Sequence, residues 1–217
     1  LIKGVGPSTA KKLVEHFGLN VLDIIQFNPA RLTEIDGIGQ TRADLIASSF
    51  SEQREIRKVL VFLKSYSITA SMALNIYKAY GNRTIDLVKE NPYRLAEDIE
   101  GIGFKTADLI ASRLGVDPNS IFRVMSGISF ALFESTLDGH TYLPKEELVK
   151  RAEKLLSVDR SLIENAIVQL VLNKSLVMEM EDGLEDANIY LSAYYEAEAG
   201  AALSLRQLAQ AETDLIF

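Results

Sequence analysis

Apolar residues recur at every third or fourth position along most of the chain, and this spacing predicts a mainly α-helical protein. The clearest helix spans residues 121–137, where one face carries Ile121, Val124, Ile128 and Leu132. Further helices are predicted over 143–156, 161–173 and 192–211. Ser161 and Glu164 have the spacing of a capping box at the start of the second of these helices.

Two short segments, 176–180 and 188–191, alternate apolar and polar residues as a β-strand does. An acidic turn around Asp182 and Gly183 separates them, so the pair predicts a small β-hairpin. Three helices followed by a hairpin is the order of a winged helix. We therefore expect a winged-helix-like α+β domain after a purely helical first half.

Glycine and proline mark where several helices begin and end. Asn28-Pro29 and Asn91-Pro92 resemble helix starts, with asparagine as the cap and proline in the first turn. Gly18 and Gly81 stand where helices are expected to stop.

The first half of the chain is a duplication. Residues 17–34 recur in outline at 80–97, and after one inserted residue 35–39 match 99–103. The six residues from Ala43 to Ser48 reappear unchanged from Ala107 to Ser112. Repeats of this kind indicate that one structural unit has been used more than once.

A smaller unit repeats inside each copy. Its pattern is an apolar residue, any residue, glycine, an apolar residue, glycine, three residues, alanine and then a helix. It begins at Ile2, Ile35 and Ile99, and a degenerate fourth copy covers 65–73, with Ser67 and Thr69 in the glycine positions. The units predict four hairpins in two pairs, joined by a connecting helix over 51–63.

Glycine, an apolar residue and glycine before a helix suit the binding of an anion. The glycines permit a tight turn and remove side chains that would block close approach. The apolar residue anchors the turn in the core, and the free N–H groups of the following helix add their dipole. This arrangement predicts a phosphate site that requires no basic side chain.

The repeated unit resembles the helix-hairpin-helix motif. The resemblance implies binding to DNA phosphates without reading of the base sequence, with paired motifs on either side of the minor groove. The contacts it implies here are the three hairpin turns Gly4-Val5-Gly6, Gly37-Ile38-Gly39 and Gly101-Ile102-Gly103. Side chains near the turns are candidates for further contacts: Lys3, Ser8, Lys11, Lys12, Thr41, Arg42, Lys105 and Thr106. The degenerate unit lacks both glycines and is expected to serve packing.

The charge of the chain is divided unevenly. Net charge is −7, but residues 1–115 carry +2 and residues 116–217 carry −9. If DNA is bound, the first half is expected to bind it.

In the second half, a winged helix would read DNA with its third helix and wing. That helix offers Arg160, Asn165, Gln169, Asn173 and Lys174, whereas the wing carries Glu179, Glu181, Asp182, Glu185 and Asp186. We expect this domain to be structural or to contact protein, although the acidic run is also consistent with a solvated face.

Composition excludes several classes of protein. The sequence has no cysteine, which excludes disulfides and thiolate zinc sites and fits a reducing cytoplasm. The two histidines, His16 and His140, are far apart, and no metal site is expected. No apolar run has the roughly 20 residues of a membrane span. The start without methionine suggests a fragment of a longer protein.

The order of motifs along the chain resembles the N-terminal extension of long-form RecD-like helicases, also called exodeoxyribonuclease V alpha-subunit-like proteins. The order is tandem hairpins, then Gly139-His140-Thr141-Tyr142-Leu143-Pro144 with its helix and winged hairpin, and then an exit helix. The resemblance implies tandem helix-hairpin-helix pairs of the SAM-like fold followed by the winged-helix-like domain. It divides the chain into a first hairpin pair (1–50), a connecting helix with a second pair (51–115), the winged-helix-like domain (116–191) and an exit helix (192–217).

This resemblance implies a bacterial, cytoplasmic ATP-dependent 5′–3′ DNA helicase active in repair and recombination. No Gly-x-x-x-x-Gly-Lys-Ser/Thr sequence is present, so no ATP site and no catalytic site are predicted in these residues. ATP and Mg²⁺ are expected only in motor domains outside the chain. The predicted partners are the DNA backbone, those motor domains and a repair protein.

Two alternative functions remain open for the sequence. One is a module that positions the helicase or recruits a protein, and the other is an accessory part of a structure-specific nuclease. A dinucleotide site at Gly101-Ile102-Gly103 is excluded because no strand precedes it and the third glycine is missing. A DNA glycosylase, with one hairpin and a catalytic aspartate downstream, does not fit four tandem units, even though Asp117 follows the last of them.

Overall fold

The structure is a computed structural model that describes residues 2–180 and 186–210. Within these residues the chain forms eleven α-helices and one three-stranded sheet. This confirms the predicted fold class, mainly α with a small β element. The predicted acidic turn around Asp182 and Gly183 lies outside the described residues. None of the described helices is long and apolar enough to cross a membrane.

The N-terminal unit, Leu1–Glu90, is entirely helical in its described part. Its α-helices are α1 (Pro7–Phe17), α2 (Val21–Phe27), α3 (Gln40–Lys64), α4 (Ala70–Tyr80) and α5 (Thr84–Glu90). Short 3-10 turns at Gly18–Asn20, Pro29–Glu34 and Gly81–Arg83 join them. Gly18 and Gly81 end α1 and α4 with φ of 57° in both cases, which confirms the predicted helix ends.

The start of the N-terminal unit is built around one hydrophobic core. Leu32 and Ile46 are completely buried, and Leu13, Ile25 and Ile38 pack with them. Ala43 is also fully buried, as expected for the small residue of the repeated unit. Because alanine occupies this position, the helices approach closely enough to bury the hairpin's apolar residue.

Helix α3 corrects one prediction. It runs without interruption for 25 residues, so the predicted connecting helix over 51–63 is its second half rather than a separate element. Residues 51–54 lie on its exposed surface, whereas Val59 and Leu63 are buried. The sequence contains no glycine or proline between 40 and 64 that would end the helix at residue 50.

The C-terminal unit, Asn91–Phe217, begins with the third glycine hairpin and ends in the exit helix. Its elements are α6 (Arg94–Asp98), α7 (Phe104–Leu114), α8 (Ile121–Leu137), β1 (Tyr142–Pro144), α9 (Lys145–Leu156), α10 (Arg160–Leu172), β2 (Leu176–Glu179), β3 (Asn188–Leu191) and α11 (Ser192–Gln210). The predicted division at residues 50, 115 and 191 stays a prediction.

The sheet has the order β1-β3-β2, and both pairings are antiparallel. Ile189 lies at its centre, opposite Leu143 on one side and Met178 on the other. Strands β2 and β3 confirm the predicted hairpin, but the sequence analysis missed β1. The observed order of helix, strand, two helices and two strands adds one strand to the three helices and hairpin that the sequence predicts.

Helices α8, α9 and α10 pack together to form the core of the C-terminal unit. Ile128, Leu148, Ile163 and Ile167 are each 0% exposed. Gly127 lies against Leu156 so closely that an added Cβ would come within 2.5 Å of its Cδ2 atom. The small residue is therefore part of the close approach of α8 and α9.

Three predicted helix caps are wrong. Helix α10 begins one residue before Ser161, and Glu164 accepts a hydrogen bond from Arg160 at 2.8 Å instead of closing a capping box. Asn28 precedes a 3-10 turn and makes no side-chain cap. Asn91 instead stabilises a turn, because its side chain accepts from the amide of Tyr93 at 3.0 Å.

Candidate nucleic-acid interface

The three glycine hairpins share one backbone geometry. The first glycine of each has a positive φ: 84° at Gly4, 90° at Gly37 and 85° at Gly101. The second glycine is extended and caps a helix, with φ of −89°, −86° and −93° at Gly6, Gly39 and Gly103. Only the first position therefore has a conformation that favours glycine. At the second position glycine leaves open space, since nothing lies within 4 Å of where a Cβ would stand.

The amide of the middle residue of each hairpin, one of the predicted contacts, already donates a hydrogen bond within the turn. Val5 donates to Ile2 at 3.2 Å, Ile38 to Ile35 at 3.0 Å and Ile102 to Ile99 at 3.1 Å. Ile38 and Ile102 are buried and Val5 is half-buried, so these residues anchor the turn as expected. Any main-chain contact to phosphate must come from the amides that follow.

Those following amides are available. In the described part of the chain, the amides of Gly39, Gln40 and Thr41 donate to no protein acceptor, and Gly39 makes no side-chain cap. They open helix α3, where the helix dipole favours a negative group. Equivalent amides open the other two hairpin helices at Gly6, Ser8, Thr9, Gly103, Phe104 and Lys105. Pro7 has no N–H, but the free amide of Thr9 keeps the number of donors in the first hairpin at three.

The degenerate fourth hairpin keeps the backbone geometry and adds a side-chain cap that the glycine hairpins lack. Ser67 adopts φ of 68°, and Thr69 is extended like the second glycines. The Thr69 hydroxyl accepts from the amide of Met72 at 3.3 Å. A side chain of this protein therefore stands at a helix start where the other hairpins have only glycine.

Arg42, predicted to contact DNA, instead joins the first and second hairpins. Its guanidinium donates from Nε and Nη2 to the carbonyl of Gly4, at 3.1 and 3.0 Å, and from Nη1 to that of Gly37 at 3.0 Å. Nη2 also lies 3.0 Å from the hydroxyl of Thr9. This role could not be predicted from the sequence because Gly4 and Thr9 lie 38 and 33 residues before Arg42.

The predicted lysines also have protein partners. Lys12 donates to the carbonyl of Asp36 at 3.3 Å, and Lys11 lies 3.7 Å from Glu15. Lys105 lies 3.4 Å from Glu134 and over the ring of Phe130. Side chains of Lys3, Ser8, Thr41 and Thr106 make no hydrogen bond or ion pair within the described segments, and all but Thr106 lie in the N-terminal unit.

The two units differ strongly in charge. The N-terminal unit contains 12 Lys/Arg and 9 Asp/Glu, a net charge of +3. The C-terminal unit contains 11 Lys/Arg and 21 Asp/Glu, a net charge of −10. Net charge therefore favours the N-terminal unit over the C-terminal unit as the part that would attract a polyanion.

The third hairpin lines an acidic groove in the C-terminal unit. The groove has a volume of about 1110 Å³ and runs between the hairpin segment, one face of α8 and the end of α10. Among the described residues that line it are Glu97, Asp98 and Glu100 but no lysine or arginine, and Phe122 and Phe133, each about half exposed, also line it. Burial raises the pKa of Glu97 above its usual value. This surface suits an apolar or cationic ligand better than a phosphate.

Two side chains of the predicted reading helix, those of Arg160 and Asn173, already have partners within the C-terminal unit. Arg160 pairs with both Glu146 and Glu164, and these carboxylates raise its pKa. Asn173 caps the turn after α10 by accepting from the amide of Ser175 at 3.0 Å. Of the acidic wing residues, Glu179 accepts from Tyr190, and Asp186 accepts from the first-turn amide of Glu146 in α9. These polar groups therefore already have partners within the protein.

Nothing in the described segments forms a metal site, since no group of three His, Asp or Glu side chains is close enough to hold an ion. His16 instead contacts Glu34 at 3.1 Å.

Comparison with known proteins places both halves of the hairpin region. Residues 2–52 match the family model of the SAM-like helix-hairpin-helix tandem. Residues 52–142 match the model of the ATP-dependent RecD2 DNA helicase HHH domain. The chain resembles the N-terminal region of a RecD-like helicase.

One curated relative is the ATP-dependent RecD2 DNA helicase of Deinococcus radiodurans, which is 29% identical over 154 residues. The match covers 70% of this chain but only 21% of that helicase. The RecD-like resemblance, predicted from the hairpins and the motif order, is thereby confirmed. Helicase activity itself belongs to a protein about five times as long as the matched segment.

Proposed function

We propose that the chain is the DNA-binding accessory region of a RecD-type ATP-dependent 5′–3′ helicase, and that it holds the DNA backbone without reading its sequence. The observation that carries this proposal is the row of free amides at Gly39, Gln40 and Thr41, with its equivalent after Gly6. Main-chain amides at these helix starts would contact the phosphates of the DNA backbone. Such contacts carry no information about the base sequence. A role in DNA repair and recombination in the cytoplasm, with the motor domains as partners, follows from the resemblance to the helicase.

The binding surface is the first pair of hairpins, in the N-terminal unit. The net charge of +3 attracts the DNA backbone there, and the Lys3, Ser8 and Thr41 side chains remain available beside the free amides. The third hairpin has the same backbone, but it stands in the acidic unit and lines an apolar groove. We therefore assign the third hairpin no share in DNA affinity.

A titration of the chain with fluorescent duplexes tests the function. Two duplexes of unrelated sequence and one single strand are compared by anisotropy at several salt concentrations. We expect equal affinity for both duplexes, and a fall with salt whose log–log slope corresponds to roughly two to four neutralised phosphates, at about −0.9 per phosphate. Affinity that depends on sequence, or binding absent even at low salt, would contradict the proposal.

The groove favours a second candidate function, protein contact by the C-terminal unit. Its apolar residues and three carboxylates suit a cationic amphipathic segment, such as part of the helicase motor or of a repair protein. Replacing Phe133, which is 47% exposed, by serine removes apolar area without disturbing the core. If the motor binds there, this variant loses retention of the separately produced motor domains in a nuclease-treated pull-down and keeps its DNA affinity. Equal retention of the motor by both proteins excludes the groove as its site.

A further inference from the structure

Arg42 stands where the first and second hairpins meet. Its four hydrogen bonds reach the carbonyls of both positive-φ glycines and the hydroxyl of Thr9. Gly4 and Gly37 are equivalent positions of the repeated unit, and so are Thr9 and Arg42 themselves. The contact therefore joins corresponding points of two copies of the same motif.

The guanidinium has few free N–H groups with which to bind a phosphate. It has five N–H groups, and four of them are used by Gly4, Gly37 and Thr9. A fork of this shape fixes direction as well as distance, which a single ammonium group does not. The chemistry of the side chain thus fits a link between two backbone segments.

Other contacts hold the same two hairpins together. The amide of Lys3 donates to Ser49 of α3 at 2.8 Å, and Lys12 of α1 donates to the carbonyl of Asp36 in the second hairpin. A Cβ on Gly4 would approach Ile46 of α3 at 3.2 Å, so the first hairpin lies tightly on that helix. Arg42 acts within a packed contact and does not bridge a gap.

No arginine occupies the equivalent position in the other units. Met72 stands there in the degenerate unit and Thr106 in the third. The arginine link is therefore a property of the first pair alone, the pair with the positive charge.

We infer that Arg42 is a positioning residue that locks the first two hairpins into one phosphate-binding platform, so that both sets of amides bind the same DNA molecule at once. This inference rests on the proposed function. Its consequence is energetic coupling, because once one hairpin holds a phosphate, the other is presented at a high effective concentration.

A double-mutant cycle on DNA affinity tests the inference. Gly6→Asp and Gly39→Asp each place a carboxylate on one set of amides, and the double variant blocks both. With Arg42 present, the two losses should be non-additive by about tenfold or more, since either change destroys bivalent binding. In the Arg42→Met and Arg42→Lys backgrounds the coupling should fall to less than about threefold.

Arg42→Lys separates position from charge. Lysine retains the positive charge but lacks the planar group with several N–H donors. The inference therefore predicts that the coupling between the two aspartate variants falls nearly as far as in Arg42→Met. In the Gly6→Asp background, where only the second hairpin remains, Arg42→Lys should change affinity by less than about twofold. Loss of affinity in that background would show a direct phosphate contact and overturn the inference.

A measurement without DNA keeps the two proposals distinguishable. The chain has no cysteine, so nitroxides can be placed at Glu15 on α1 and Ser48 on α3, both exposed. Their distance distribution should be narrow with Arg42 and broader in Arg42→Met, while circular dichroism shows unchanged helix content. If neither aspartate variant weakens DNA binding, the proposed function fails. If both weaken it additively and the spin-label distances are insensitive to Arg42, the inference fails alone.

Discussion

Replacing Gly39 by aspartate should stabilise the fold and weaken DNA binding at the same time. Gly39 is the N-cap of α3, has φ of −86° and ψ of 173°, and has open space where a Cβ would stand. Aspartate adopts this conformation without strain and accepts hydrogen bonds from the amides that open the helix. Thr69 shows the same geometry in this protein, since its hydroxyl already accepts from the amide of Met72.

The expected changes in stability and in DNA affinity have opposite signs. A carboxylate in place of glycine at a helix start contributes a few tenths of a kcal/mol as a cap and about 0.3–1 kcal/mol through the helix dipole. The melting temperature should therefore rise by about 2–4 °C. The phosphate loses hydrogen bonds worth about 1.5–3 kcal/mol each when the partner is charged, so affinity should fall roughly 10- to 100-fold.

Matched variants distinguish the effect of capping the amides from the effect of adding a negative charge. Gly39→Asn caps the same amides without a negative charge and should lose less affinity than Gly39→Asp. Gly103→Asp makes the identical change at φ of −93° and ψ of 173° in the acidic unit, and should leave DNA affinity within about twofold of the parent. Thermal melting and fluorescence anisotropy measure the two effects. A Gly39→Asp protein that melts higher yet binds DNA as tightly as the parent would refute the reasoning.

Three further outcomes are expected of the fold. Gly37→Ala should destabilise by about 1–2 kcal/mol in denaturant titration, because φ is 90° there, whereas Gly39→Ala should change stability by under about 1 kcal/mol; equal effects would contradict the assigned roles. The side chain of Arg31, followed by that of His16, lowers the pKa of Glu34 to about 2, so its stabilising contribution is present above pH 4.5 and is lost as the pH falls towards 2. Glu34→Gln should flatten the stability profile in that window, and an unchanged profile would refute the assignment. Burial raises the pKa of Tyr93 above its ordinary value of 10.0, so stability should hold up to about pH 10 and fall as the pH rises further, less steeply in Tyr93→Phe; equal slopes would contradict this.

The hairpins were predictable because their signal is local. A glycine at positive φ, a buried apolar residue and a small alanine each follow from the chemistry of one position, and the repeat identified all three units. The choice of amides was not predictable in the same way. The turn that places Ile38 in the core also uses its N–H, so the donors shift by one residue to Gly39 and beyond.

Contacts between distant residues account for most of what the sequence did not reveal. From the sequence, Arg42 was predicted to be a basic side chain beside a phosphate site. Only the folded chain brings it to the carbonyl of Gly4, which is 38 residues away. Strand β1 is only three residues long, too short to show an alternation of apolar and polar residues. It forms because it pairs with β3, which is distant in the sequence. The acidic groove combines residues from 91 to 191 that no local pattern relates.

The central claim is that bare amides at the helix starts receive the phosphate, and a ¹H–¹⁵N titration of the chain with a short duplex tests it most directly. We predict the largest shifts at the amides of Gly39, Gln40, Thr41, Gly6 and Ser8, with smaller changes at Ile38, whose amide stays bonded to Ile35. Shifts confined to lysine-bearing surfaces or to the C-terminal unit, with these amides unmoved at saturation, would contradict the account.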